Sequence, residues 1–254
     1  MPIEIALRDN DSAEGEKNAD IIRDNAGILA DVTLQGRTLY KDGDWNTLCL
    51  PFDVTLDGSS LEDATVKKLN TTTSNLTDGT LTLNFEDETT TMTVGTPYII
   101  KWDKANDYVD DDAHNLVTPV FTGVTIDNTM RDANFTGCSF KGVYSNTTFE
   151  TENKSILLLG GGNTLYWPQS GACIKACRAY FELNNGAGVR EFRLNFGEEE
   201  TTGIPQMRNE KGEMRNGNDE MRNAAYHDLQ GRKVNGKPTK AGLYINNGRK
   251  IVLQ

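Results

Sequence analysis

Histidine occurs only twice in 254 residues, as His114 and His227, and that scarcity removes a large class of chemistry at once. A serine, cysteine or threonine nucleophile needs a base held against it, most often an imidazole. No Gly-x-Ser-x-Gly turn accompanies either histidine, and neither a Walker A loop nor a dinucleotide fingerprint is present. Long apolar runs are missing too, so no segment is suited to cross a bilayer as a helix. Basic charge is in short supply, with 26 Lys and Arg against 37 Asp and Glu. Nucleic acid is bound through clustered cations, so this balance argues against such a partner.

Cysteine is sparse: Cys49, Cys138, Cys173 and Cys177. The last two stand four apart in an apparent strand, which separates their Cα atoms by about 13 Å. That distance is beyond disulfide reach, and buried free thiols acting as small apolar groups are the preferred reading.

What remains is rich in Thr, Asn, Asp and Gly, with 37% hydrophobic residues and a mean hydropathy of -0.54. That mixture suits strands joined by tight turns, with polar outer faces. Strands are predicted at 29–40, 45–53, 64–70, 79–86, 92–102, 117–126, 134–144, 154–159, 163–167, 173–183 and 188–196. Alternation puts Tyr98, Ile100 and Trp102 on one face, and Phe192, Leu194 and Phe196 on another. Asp78-Gly79 and Asn185-Gly186 are hairpin-turn signals, and Gly160-Gly-Gly162 reads as a turn before a further strand. The fold class that follows is all-β: an antiparallel β-sandwich or barrel-like body with a small C-terminal β-hairpin appendage.

Four regions are expected. Residues 1–27 read as a polar, acidic linker, 28–197 as the all-β body, 198–223 as a flexible linker, and 224–254 as a β-hairpin tail. The second linker carries a heptad repeat, Met207-Arg-Asn, Met214-Arg-Asn and Met221-Arg-Asn. One apolar residue per heptad, with glycines between, is too little for a coiled coil. From Ala224 the tail holds six basic residues and one acidic residue, whereas the remainder holds 20 basic and 36 acidic. The N-terminus has no apolar signal segment, so any export signal is expected upstream, with this chain part of a larger protein.

Candidate sites are few. Trp102, Tyr166 and Trp167 lie at strand ends among polar residues and are candidate platforms for a sugar face. Asp107, Asp110, Asp111 and Asp112, beside His114, crowd one acidic loop and are candidate calcium ligands. A carboxylate pair for glycoside hydrolysis is set by spatial separation and leaves no mark on the sequence.

The chain also resembles a known group of proteins. Val32-Thr-Leu-Gln-Gly-Arg-Thr-Leu-Tyr40, Trp45-Asn-Thr-Leu-Cys-Leu-Pro-Phe52, Gly95-Thr-Pro-Tyr-Ile-Ile-Lys-Trp102, Arg178-Ala-Tyr-Phe-Glu-Leu183 and Val189-Arg-Glu-Phe-Arg-Leu-Asn-Phe196 carry the likeness. Such segments resemble the β-rich C-terminal modules of secreted and cell-surface proteins of Bacteroidetes. The tail is similar to the later motifs of the C-terminal sorting domain read by the type IX secretion system, at Asp228, Leu229, Gly231, Arg232, Gly242, Tyr244, Gly248 and Lys250. The resemblance implies a secreted or outer-membrane-associated location, with export machinery engaging the tail. It supplies no catalytic residue. The expectation is a non-catalytic extracellular module that is adhesive, glycan-contacting or structural, facing a glycan or a cell-surface ligand. The alternatives are a carbohydrate-active domain using a carboxylate pair, and a purely structural spacer.

Overall fold

The structure, a computed structural model, describes residues 2–11, 15–184 and 189–197, together with the strands Tyr226–His227, Lys233–Val234, Gly242–Asn246 and Arg249–Leu253. Strands account for 45% of it and helices for 6%, which fixes the class as all-β. Contacts divide the chain into two units, Met1–Asn216 and Gly217–Gln254.

The first unit is organised around Tyr98–Lys101, a strand buried on both faces. Tyr98 and Ile100 enter one core with Leu48, Phe52, Trp102 and Phe121, while Ile99 enters a second with Trp45, Phe140, Phe181 and Phe192. In the sheet, Tyr98–Lys101 lies between Asn46–Leu48 and Thr65–Leu69, followed by Thr80–Glu88 and Glu191–Asn195. The second core is strongly aromatic: Phe140 stacks on Phe181 at 4.4 Å between centroids, and Phe196 stacks on both Trp45 and Phe85. Such pairs stabilise beyond the area they bury, by about 0.5–1.5 kcal/mol each.

The turn and face readings hold where the structure describes them. Asn75–Thr77 and Thr80–Glu88 meet across Asp78-Gly79, whose φ values of 53° and 81° suit a two-residue hairpin turn. Ile156–Gly160 and Thr164–Tyr166 pair around the glycine run. Phe192, Leu194 and Phe196 all reach the second core. Asn185-Gly186 and the 198–223 segment lie outside the described residues.

Three expectations need correction. Residues 1–27 are not a linker: Ile3–Arg8 is a strand paired in parallel with Leu29–Gln35, and the helix Asn18–Asp24 connects them. Ile5, Leu7 and Ile22 are core residues. Pairing is therefore antiparallel with two parallel exceptions among the described strands, the other being Glu191–Asn195 with Thr80–Glu88. The 173–183 strand is broken into Ala172–Ile174 and Arg178–Leu183, with Cys177 between them at a φ of 54°. The spacing argument for Cys173 and Cys177 thus fails, although all four cysteines are free and only Cys173 is more than slightly accessible.

In the second unit the hairpin Gly242–Asn246 with Arg249–Leu253 is extended by Tyr226–His227 and Lys233–Val234 into a four-stranded sheet. No helix of the described residues is long and apolar enough to cross a membrane.

Candidate functional site

The aromatic candidates sit inside the fold. Trp102 is only 5% exposed and donates its indole N–H to the Glu62 carbonyl at 3.2 Å, with the Lys41 ammonium 5.0 Å from its ring centre. A ring so enclosed has no face to offer a sugar. Trp167 is half-buried against Phe192, and Tyr166 is half-buried with its hydroxyl enclosed. A strand-end position leaves the faces open in principle; here the Glu62 segment and Lys41 cover Trp102, and Phe192 packs on Trp167.

The acidic loop does not converge on a point. Asp111 Oδ1 accepts from the backbone N–H groups of Ala113 and His114 and faces His114 Nδ1 at 2.8 Å. Its pKa is lowered first by that side-chain contact with His114. Asp110 Oδ1 accepts from Asn115 Nδ2 at 2.8 Å. Asp107 and Asp112 point into solvent as exposed residues. Among the described residues no three His, Cys, Asp or Glu side chains are grouped to hold a metal ion. Of the tail residues, Gly242 and Tyr244 lie in one strand, opposite Leu253 and Ile251, and Lys250 lies in the other, opposite Ile245. Asp228, Leu229, Gly231, Arg232 and Gly248 lie outside the described residues.

The densest buried polar chemistry lies where the N-terminal strand ends. Asp9 follows Ile3–Arg8 and its carboxylate meets three cations: Arg178 at 2.5 Å, Lys175 at 3.1 Å and Arg37 at 3.8 Å. Asp9, Arg37 and Arg178 are all more than nine-tenths buried. Burial pushes the Asp9 carboxyl up, but Arg178, Arg37 and Lys175 together outweigh it and hold the pKa below the ordinary carboxylate value. Arg37 goes the other way: burial, and Arg178 beside it, pull its guanidinium down to about 9.

A second carboxylate completes the arrangement. Asp11, 1% exposed, accepts from the backbone N–H of Asn18 at 3.0 Å and of Asn146 at 2.7 Å. Asn18 is fully buried, donates to the Arg8 and Tyr144 carbonyls, and accepts from the Arg8 N–H. These bonds tie the helix and the first strand to the segment 144–146, which is why a polar stretch packs instead of being solvated. Beside this network lies a cavity of about 40 Å³ lined by Arg37, Arg178, Trp45, Asn46, Thr47 and Leu158 among others.

A second concavity, an open groove of about 460 Å³, is bordered by Asp57, Glu62, Asp63, Asp87 and Glu88. Two of these carboxylates are held by lysines: Lys67 donates to Asp87, and Lys68 lies 3.4 Å from Glu88.

Asp9, Asp11, Arg37 and Arg178 escaped the sequence reading because each looks like an ordinary surface charge. Arg178 begins a strand on the polar phase of its alternation, and Arg37 sits in the turn after Gly36. The one available signal was the alternation of Ile3, Ile5 and Leu7, which marks a strand immediately before Asp9. Comparison with protein-family models, with curated proteins and with solved structures gives no match, so nothing is carried over to these residues from a relative.

Proposed function

We propose that the chain is a non-catalytic, extracellular or cell-surface module of a larger bacterial protein, adhesive, glycan-contacting or structural in role, with its tail serving export or anchoring. The observation that carries this reading is how the reactive-looking groups are engaged. Asp9, Asp11, Arg37 and Arg178 are buried and bonded to one another and to backbone. Trp102 is closed into a core, and Asp111 caps its own turn. Groups that hold the fold in this way favour a rigid scaffold presenting polar, threonine-rich sheet faces to a partner. The likeness of the body and tail to Bacteroidetes surface modules supports the same location.

A second reading is favoured by one specific feature, the acidic groove. Glycoside hydrolysis needs two carboxyl groups flanking a cleft, and Asp57, Glu62, Asp63, Asp87 and Glu88 border one. The lysines on Asp87 and Glu88 support a structural role for those two.

Two experiments address the proposal. On a glycan array, a contact module retains a defined subset of sugars without altering them, and a structural module retains none. In the native host, removing residues 224–254 should abolish surface display; undiminished display would end the sorting role of the tail.

A further inference from the structure

We propose that the cavity lined by Arg37 and Arg178 is a binding site for one small monovalent anion, either a halide or the carboxylate of a small acid. Among the described residues its lining holds two guanidiniums and no carboxylate; Thr38, Tyr40, Trp45, Asn46 and Thr47 supply the remaining polar groups. Two buried guanidiniums, Arg37 and Arg178, share the one carboxylate of Asp9, which the partly exposed Lys175 also approaches, while Asp11 is taken up by backbone N–H groups. A buried charge is costly without a counter-charge.

Arg37 shows where the shortfall lies. Its terminal nitrogens are engaged, one with the Thr47 carbonyl at 2.9 Å and the other 3.8 Å from Asp9, but its buried Nε–H meets no acceptor among the described residues. Buried N–H groups are almost always satisfied, and an exception asks for a water or an ion. The downward pull on the Arg37 pKa has the same origin, since Asp9 is shared with Arg178 and only partly offsets the burial. Size selects the ligand. A water needs roughly 10–15 Å³ of such space, so about 40 Å³ admits a chloride, a bromide or a carboxylate group. It is far below the hundreds of Å³ that a sugar or cofactor fills.

The test is thermal unfolding of the full chain in sodium chloride, sodium formate or sodium gluconate at equal ionic strength, which holds charge screening constant. Past saturation, a bound anion raises the midpoint by about 3–5 °C for each tenfold increase in concentration. Chloride or formate should produce that rise and gluconate, too large to enter, should not. A response to chloride identifies a halide site and a response to formate alone a carboxylate site. In Arg37→Met, which removes the guanidinium and its unsatisfied Nε–H while keeping the stem, the response should vanish. Because this variant can fail to fold, wild-type crystals soaked in bromide give a second measurement: an anomalous peak within the cavity is expected. Equal responses to all three salts, or a cavity without bromide in a protein that also fails to respond to formate, would overturn the proposal.

Discussion

Replacing Asp9 by asparagine keeps the side-chain shape and removes the carboxylate shared by Arg37, Lys175 and Arg178. Two buried guanidiniums and the partly exposed Lys175 ammonium then lose the carboxylate they share. Breaking a buried ion pair by deleting one partner costs about 3–5 kcal/mol, because the other charge stays buried without compensation. In a domain of this size about 1 kcal/mol moves the midpoint by roughly 2–4 °C, so the melting temperature should fall by roughly 6–20 °C. Urea unfolding should show the same loss with an unchanged slope, since the surface exposed on unfolding is the same. The matched control is Asp20→Asn, which removes an exposed helix pair with Arg23 and should leave the midpoint where it was. Acidity provides a further check. The Asp9 carboxyl is held below its ordinary value, so its contribution is complete above about pH 4 and is lost as pH falls through the lowered native value. The gap between wild type and Asp9→Asn should therefore be constant at pH 7 and pH 5 and close only in stronger acid. A shift no larger than that of Asp20→Asn would refute the reasoning, because it would place residues 1–27 outside the cooperative body.

Gly142 faces Cys49 so closely that an added Cβ would overlap the Cys49 sulfur, and Gly142→Ala should cost about 1–3 kcal/mol through overpacking. In a Cys49→Ala background the cost should shrink by at least about 0.5 kcal/mol, measured as a double-mutant cycle in urea; strict additivity would contradict the contact. Burial pushes the thiols of Cys138 and Cys177 up to about 12 and that of Cys49 well above its ordinary value. A thiol reagent should therefore label Cys173 alone in the native protein and all four cysteines after denaturation, and prompt native labelling of a second cysteine would show that the burial is wrong.

The parts of this fold legible in the sequence are those governed by local periodicity. Tyr98, Ile100 and Trp102 share a face because strand side chains alternate, and all three reach one core. Asp78-Gly79 declares its hairpin because both residues tolerate positive φ. What was not legible depends on partners distant in the chain. The parallel pairing of Ile3–Arg8 with Leu29–Gln35 leaves no turn signature, since a crossover intervenes. Two-residue strands such as Thr38–Leu39 and Val54–Thr55 are too short to show a period. The Asp9 cluster joins residues 9, 37, 175 and 178, and nothing local separates such buried charges from solvated ones. For the same reason nothing local to Trp102 shows that the Glu62 segment and Lys41 cover its ring.

The most direct test of the central claim, a module without catalysis, is a reducing-end assay of the purified chain against a broad polysaccharide panel over hours. The account expects no release above the buffer rate, and no difference between wild type and a variant carrying Asp87→Asn and Glu88→Gln in the acidic groove. Release of reducing ends by the wild type that falls to background in that variant would contradict it and assign the groove a catalytic carboxylate pair.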